Sequence, residues 1–125
     1  MLVVEDDSAL LKVVLEDLQK YGFDVVGVRS DRAAYKALAS APAFDVVVVD
    51  IDLGLGTTGF DVARAARQGN PKVRVIYISG EANAQSWVAF GVPGSDYLSK
   101  PFALEKLTAL LRHDLDRDQD KEDSA

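Results

Sequence analysis

The sequence has no cysteine among its 125 residues, so it can form neither disulfide bonds nor thiolate zinc sites. It also lacks any apolar run near the roughly 20 residues that a membrane-spanning helix needs. Basic residues are few, and the net charge of -6 argues against non-specific nucleic-acid binding, which requires clustered lysine and arginine. Hydrophobic residues make up 48% of the chain, an ordinary share for a globular protein. We therefore expect one cytoplasmic domain with a substantial core.

Strand-like and helix-like segments alternate along the chain. Short apolar or β-branched runs predict strands at 2–5, 25–28, 44–49, 73–78 and 96–99. Apolar residues at helical spacing predict helices between them, the first capped by Ser8 and the second capped by Asp31. The later helices are predicted at about 59–68, 83–90 and 104–111. These repeats with short connections favour a parallel sheet that is covered by helices on both faces.

The domain is expected to occupy residues 1–113. The segment 114–125 is mostly charged or polar, and we expect it to be a disordered tail. The only histidine, His113, lies at this boundary and is predicted to be neither a phosphodonor nor a metal ligand.

Charged residues follow three of the predicted strands. Asp50 comes directly after a run of four valines, Glu5 and Asp6 end the first strand, and Lys100 follows the last. In open α/β sheets, ligands and chemistry lie at the carboxyl ends of the strands. Three acidic groups and one lysine at such ends indicate a metal-assisted phosphoryl site, with Asp50 as the attacking carboxylate.

Four motifs resemble those of the receiver domain of two-component response regulators, in the same order and at the same strand ends. They are Val3-Val4-Glu5-Asp6-Asp7, Val49-Asp50-Ile51-Asp52-Leu53, Ile78-Ser79-Gly80 and Tyr97-Leu98-Ser99-Lys100-Pro101-Phe102. The resemblance implies a flavodoxin-like (βα)5 fold, doubly wound, with strand order 2-1-3-4-5. It also implies that Asp50 accepts a phosphoryl group from a phosphohistidine and that the protein is not a turnover enzyme.

The resemblance further implies a Mg²⁺ site. On the family pattern, Asp6 and Asp50 ligate the ion directly, Glu5 acts through water, and the backbone carbonyl of Asp52 supplies another ligand. Magnesium suits such a cluster because it is small, hard and prefers oxygen ligands. Without a cation, the neighbouring carboxylates would repel Asp50 strongly.

The same family pattern assigns the phosphoryl contacts and a conformational switch. Lys100 pairs first with Asp50 and then with a phosphoryl oxygen, to which Ser79 also donates its hydroxyl. Movement of Ser79 opens space into which the ring of Tyr97 rotates, and this repacks the face made by the fourth helix, fifth strand and fifth helix. The Lys100–Pro101 bond is expected to be cis.

The implied partners are a histidine kinase or a histidine phosphotransfer protein, and a downstream protein that docks on that last helix-strand-helix face. No direct binding to nucleic acid or membrane is expected, and a homodimer is an option. The loop after Asp50 departs from the family: Gly54 replaces a proline, and Gly59 comes one residue later than the usual glycine. Asp52 and Glu81 occupy positions that in the family tune the lifetime of the phosphoryl group.

Two other functions stay open at this point. Asp50 and Asp52 also match the strand-ending Asp-x-Asp of haloacid dehalogenase-like phosphatases, although Glu5 and Asp6 precede the nucleophile, whereas that family's acidic pair follows its lysine. The other alternative is a receiver-like module that binds proteins without being phosphorylated.

Overall fold

The computed structural model describes residues 1–40, 44–53, 58–80 and 83–112. Its strands are β1 (Leu2–Val4), β2 (Val26–Val28), β3 (Val46–Asp50), β4 (Arg74–Ser79) and β5 (Asp96–Ser99). All are parallel and form one five-stranded sheet in the order β2-β1-β3-β4-β5, so the predicted flavodoxin-like topology is confirmed. Three predictions fall outside the described residues, namely those on Gly54, on Glu81 and on the segment 113–125.

Helices alternate with the strands as the sequence predicts. They are α1 (Ser8–Lys20), α2 (Asp31–Ser40), α3 (Gly59–Gly69) and α4 (Ala84–Phe90), and a last helix, α5, covers residues 104–112. In the described part of the chain, no helix combines the length and the apolar character that crossing a bilayer requires.

The sheet has a separate hydrophobic core on each face, because successive strand residues point to opposite sides. On one face Val47 and Tyr77 pack against Ala34 of α2 and Phe60 of α3. The rings of Phe60 and Tyr77 lie 5.3 Å apart between centroids. This core fixes α3 against the strand that carries Asp50.

The second core lies between the sheet and the pair formed by α1 and α5. Val48 and Ile76 are fully buried there against Leu18 of α1 and Leu107 of α5. Every residue of β3 after Val46 is buried, as expected for a strand that is covered on both faces. The two cores pack against the central strands from both sides. The charged residues predicted to form the site lie at the carboxyl ends of the strands.

The first helix begins one residue earlier than the sequence predicted. Asp7, and not Ser8, is the N-cap: its Oδ1 accepts hydrogen bonds from the N–H groups of Ala9 at 3.0 Å and Leu10 at 3.1 Å. A carboxylate at this position also interacts favourably with the positive end of the helix dipole. Asp7 is therefore a structural residue at the edge of the acidic segment.

The second helix shows the same shift by one residue. The predicted cap, Asp31, is the first helical residue, and the Oγ of Ser30 accepts from the N–H of Ala33 at 3.1 Å. Ser and Asp are both strong N-caps, so a sequence with adjacent candidates does not decide between them.

Candidate functional site

Lys100 joins the ends of three strands. Its Nζ donates hydrogen bonds to Oε1 of Glu5, which follows β1, and to Oδ2 of Asp50, the last residue of β3, at 2.8 Å. Lys100 itself follows β5 at the edge of the sheet, and its peptide bond to Pro101 is cis, as predicted. The structure therefore brings together three of the predicted site residues from distant parts of the chain.

Asp50 is held in a single orientation. Its side chain is buried, and while Oδ2 accepts from Lys100, Oδ1 accepts from the backbone N–H of Asp52 at 2.9 Å. Because each oxygen has its own donor, the carboxylate cannot rotate without losing a hydrogen bond. This arrangement holds the two carboxylate oxygens of Asp50 in fixed directions at the end of β3.

Gly59 lets α3 begin directly against the strand that carries Asp50. Its N–H donates to the carbonyl of Ile51 at 2.9 Å. A Cβ atom at Gly59 would lie 2.2 Å from the carbonyl oxygen of Asp50 and 2.9 Å from its carbonyl carbon. Only glycine permits this approach, so the residue that the sequence marked as a displaced loop glycine supports the position of Asp50.

Glu5, Asp6 and Asp50 form an acidic cluster in which one carboxylate oxygen from each lies within 4.8 Å of the others. Glu5 and Asp50 are buried, whereas Asp6 is exposed at the opening of the cluster. The Oε2 of Glu5 is buried and has no hydrogen-bond partner in the described part of the chain. An orphaned carboxylate oxygen beside two further carboxylates fits a hard divalent cation such as Mg²⁺.

The charges in this cluster shift the pKa values of its members. Burial raises the pKa of Glu5 to about 8; Asp50 adds to this shift, and Lys100 opposes it. Burial alone would lower the pKa of Lys100, but its hydrogen bonds to Asp50 and Glu5 outweigh burial, and the pKa is raised. Lys100 is therefore a permanent cation at this site.

Ser79, at the end of β4, contacts two other polar side chains. Its buried Oγ accepts from Nδ2 of Asn83 at 2.6 Å and donates to Oδ2 of Asp52 at 3.4 Å. Asn83 also donates to the same oxygen of Asp52 at 2.9 Å. The predicted phosphoryl-binding hydroxyl is thus engaged with Asp52, two residues along the chain from Asp50.

Comparison with known proteins identifies a family for this chain. The family model described as "Response regulator receiver domain" matches residues 1–112. The chain belongs to the response regulator receiver domain family. Domains of this family are signalling domains of two-component systems and typically use Mg²⁺ at an acidic pocket.

The receiver domain is similar to parts of longer regulators. It is 36% identical over 112 residues to the photosynthetic apparatus regulatory protein RegA of Rhodovulum sulfidophilum, covering 89% of this chain and 60% of RegA. It is 33% identical over 116 residues to the regulatory protein VirG of Agrobacterium tumefaciens, covering 90% of this chain and 42% of VirG. The chain therefore spans only about half the length of these relatives.

A solved structure shows the same fold. A crystal structure of a response regulator receiver protein from Sinorhizobium medicae superposes on this receiver domain with a TM-score of 0.81 at 39% sequence identity, and the match covers 86% of each chain.

Tyr97, the predicted switch residue of the receiver domain, lies on β5 and packs against α4. Its ring stacks on Trp87, with centroids 5.5 Å apart and an interplanar angle of 23°, and its hydroxyl donates to the carbonyl of Gly80. Trp87 in turn donates from Nε1 to Oγ of Ser95 at 3.1 Å. Tyr97 thus connects β5 to the segment that follows Ser79, as a coupling residue must, while its role as a switch stays a prediction.

Two residues near the receiver site were not predicted from the sequence. Asn83 contacts Ser79 and Asp52, and Arg29 donates from Nη2 to the backbone carbonyl of Asp6 at 3.3 Å. Both follow the carboxyl ends of strands, Arg29 directly after β2 and Asn83 four residues after Ser79. A rule that counted every polar residue just beyond a strand end would have included them.

Proposed function

We propose that this receiver domain accepts a phosphoryl group onto Asp50 from the phosphohistidine of a histidine kinase or a histidine phosphotransfer protein. One observation carries the proposal: the Lys100 ammonium is shared between Glu5 and Asp50, the two buried members of the acidic cluster. A nucleophilic carboxylate, a fixed cation and a set of oxygen ligands are the parts that phosphoryl transfer requires.

In the proposed reaction an oxygen of Asp50 attacks the phosphorus atom. The phosphorus–nitrogen bond of the phosphohistidine breaks, its electron pair remains on the imidazole nitrogen, and that nitrogen takes up a proton. The new oxygen–phosphorus bond makes an acyl phosphate, which water can later hydrolyse. Asp50 needs no proton transfer of its own, because the attacking group is already an anion.

The chain's own residues position and stabilise the phosphoryl group. Lys100 loses one of its two carboxylate partners when Asp50 becomes an acyl phosphate, and the freed N–H can donate to a phosphoryl oxygen. Ser79 is proposed to donate its hydroxyl to another phosphoryl oxygen. The burial of Glu5 and Asp50 limits access of water and strengthens these electrostatic interactions.

The side chains of Glu5, Asp6 and Asp50 are proposed to hold Mg²⁺, together with the backbone carbonyl of Asp52. The ion, when bound, supplies positive charge that offsets the carboxylates and the phosphoryl oxygens. The unpartnered Oε2 of Glu5 supports this assignment.

Magnesium is therefore expected to stabilise the fold. At about ten times its Kd, the ion should add about 1.4 kcal/mol to the free energy of unfolding and raise Tm by about 5 °C. A thermal melt with and without MgCl₂ measures the shift. Asp6→Asn should lose most of it, whereas Glu16→Gln, which removes an exposed negative charge from α1, should keep it. An equal shift in both variants would contradict the site.

The partner face proposed for the phosphorylated state is formed by α4, β5 and α5. Val88 and Phe90 are exposed on α4, with 79% and 59% of their surface accessible. A groove between β5 and α5 is lined by Tyr97, Leu98 and Leu110. Such apolar exposure supports docking of a downstream protein or a second receiver. The proposed location of the protein is the cytoplasm.

Mass spectrometry after treatment with acetyl phosphate and Mg²⁺ tests the proposed acceptor. The wild-type protein should gain one phosphoryl group on the peptide that contains Asp50, and Asp50→Asn should gain none, because an amide is not a nucleophile for this reaction. Label on another residue, or equal label in the variant, would reject Asp50 as the acceptor.

The same samples separate the proposed function from its alternatives. Continuous turnover of a phosphomonoester that depends on Asp50 and Asp52 would favour a phosphatase. A protein that takes no label and binds neither Mg²⁺ nor beryllofluoride would be a receiver-like binding module.

A further inference from the structure

We propose that Asn83 is a positioning residue that holds the Ser79 hydroxyl on Asp52 until Asp50 is phosphorylated. The inference rests on the proposed function and concerns how the site changes between its two states. We call the three side chains Asn83, Ser79 and Asp52 the latch.

The latch is a closed triangle of hydrogen bonds beside the acceptor. Nδ2 of Asn83 lies 2.6 Å from Oγ of Ser79 and 2.9 Å from Oδ2 of Asp52, and the hydroxyl of Ser79 completes the triangle at 3.4 Å. Ser79 is 1% exposed, so water cannot easily replace its partners, whereas the bond from Asn83 to Asp52 lies at the surface. The backbone N–H of Asp52 also holds Oδ1 of Asp50, which ties the latch to the nucleophile.

The hydrogen-bond inventory makes the latch incompatible with a bound phosphoryl group. Ser79 has one hydroxyl hydrogen, and because its Oγ accepts from Asn83, the hydrogen is assigned to the acceptor at 3.4 Å, Oδ2 of Asp52. Donation to a phosphoryl oxygen on Asp50 would require that hydrogen. The phosphoryl group also brings negative charge next to the carboxylate of Asp52, and the like charges repel. Phosphorylation therefore opens the latch, and a closed latch opposes phosphorylation.

Asn83 also connects the latch to α4. It occupies the N-cap position of that helix, but its side chain makes no capping hydrogen bond. Asparagine is a strong N-cap because its side-chain oxygen accepts from the N–H groups of the first turn. Its amide is instead turned toward Ser79 and Asp52, so opening the latch frees it to cap α4. Phosphorylation of Asp50 would thereby change the capping of α4, the helix that carries Trp87.

The test compares beryllofluoride binding, in the presence of Mg²⁺, to the wild type and two variants. Asn83→Ala removes the latch donor, and we expect beryllofluoride to bind about two- to tenfold more tightly, the ratio that one net hydrogen bond is worth. Asn83→Ser keeps a good N-cap residue but cannot donate to both partners. It should bind at least as tightly as Asn83→Ala, because serine can still cap α4 once the latch is open. A variant Asn83→Ser that binds like the wild type would assign the effect to helix capping and overturn the latch.

Fluorescence gives an independent readout, because Trp87 is the only tryptophan and lies on α4. Without beryllofluoride or Mg²⁺, the emission of Asn83→Ala should already be shifted toward that of the bound wild type. Unchanged emission and unchanged affinity would both count against the latch.

Removal of the hydroxyl provides the decisive control. In a Ser79→Ala background there is nothing for Asn83 to hold, so adding Asn83→Ala should no longer tighten beryllofluoride binding. A gain that persists without the hydroxyl would overturn the proposal. If the wild type binds beryllofluoride but the variants do not differ from it, only the latch is wrong. If the wild type does not bind it at all, the proposed function fails together with the latch.

Discussion

Lys100→Met is expected to slow labelling by acetyl phosphate about 100-fold, the effect of removing one preorganised charged donor from a site where negative charge develops. Lys100 is the cation that bridges Glu5 and Asp50, and methionine has a similar length without the charge. The rate of phosphoryl incorporation at saturating Mg²⁺, followed by intact-protein mass spectrometry, measures the loss.

Two further variants isolate the role of the charge at this position. Lys36→Met removes an exposed lysine from α2 and should label at the wild-type rate. Lys100→Arg keeps the charge but replaces a compact ammonium with a planar fork, so it should recover only part of the rate. Wild-type labelling in Lys100→Met, with its fold intact by circular dichroism, would remove Lys100 from the phosphoryl site.

Gly59→Ala is expected to lower the free energy of unfolding by about 2–3 kcal/mol, the usual cost of forcing extra atoms into a packed position. The added Cβ would lie 2.2 Å from the carbonyl oxygen of Asp50, and backbone atoms cannot move aside as a flexible side chain can. Separating α3 from β3 would also displace Asp50, the proposed acceptor, so labelling should fall in parallel. Urea denaturation measures the first effect and acetyl phosphate labelling measures the second.

Gly69 provides a matched control at the other end of the same helix. A Cβ there would meet nothing within 4 Å, and alanine is the better helix former. Gly69→Ala should therefore leave labelling unchanged and stabilise the protein by up to about 1 kcal/mol. If Gly59→Ala behaved in the same way, the close contact between α3 and Asp50 would not matter.

The fold followed from the sequence because its strands are short apolar runs separated by clear helix patterns. The predicted ends of the strands were less accurate, because hydrogen-bonded pairing between strands decides where each strand ends and amino-acid composition does not. Asp50 was predicted to follow the third strand, yet it is the last residue of β3, because it pairs with Ile78 of β4. This pairing extends β3 to include Asp50, and it depends on a second strand, so the sequence of β3 alone does not predict it.

The charged residues of the site were predictable for a topological reason. Glu5, Asp50 and Lys100 each come at the carboxyl end of a strand, and a parallel sheet gathers those ends at one edge. The hydrogen bonds between side chains of the site could not be predicted in this way. Asn83 was taken only as the start of a helix, and its hydrogen bonds to Ser79 and Asp52 depend on a side-chain orientation that spacing does not determine.

Close contacts between backbone segments also could not be predicted from the sequence. Gly59 was noted for its offset from the family pattern, whereas its structural importance lies in the space that it leaves free beside Asp50. Adjacent cap candidates gave the same difficulty, because Asp7 and Ser8 are both strong N-cap residues and only the backbone conformation selects one of them.

The ion pair between Glu5 and Lys100 joins residues that are 95 positions apart, close to the two ends of the described chain. A nascent or partly unfolded molecule in which β5 has not yet docked would contain Asp50 but not the cation beside it. The proposed phosphoryl transfer therefore requires an assembled sheet, because the acceptor and the cation meet only when β5 has docked.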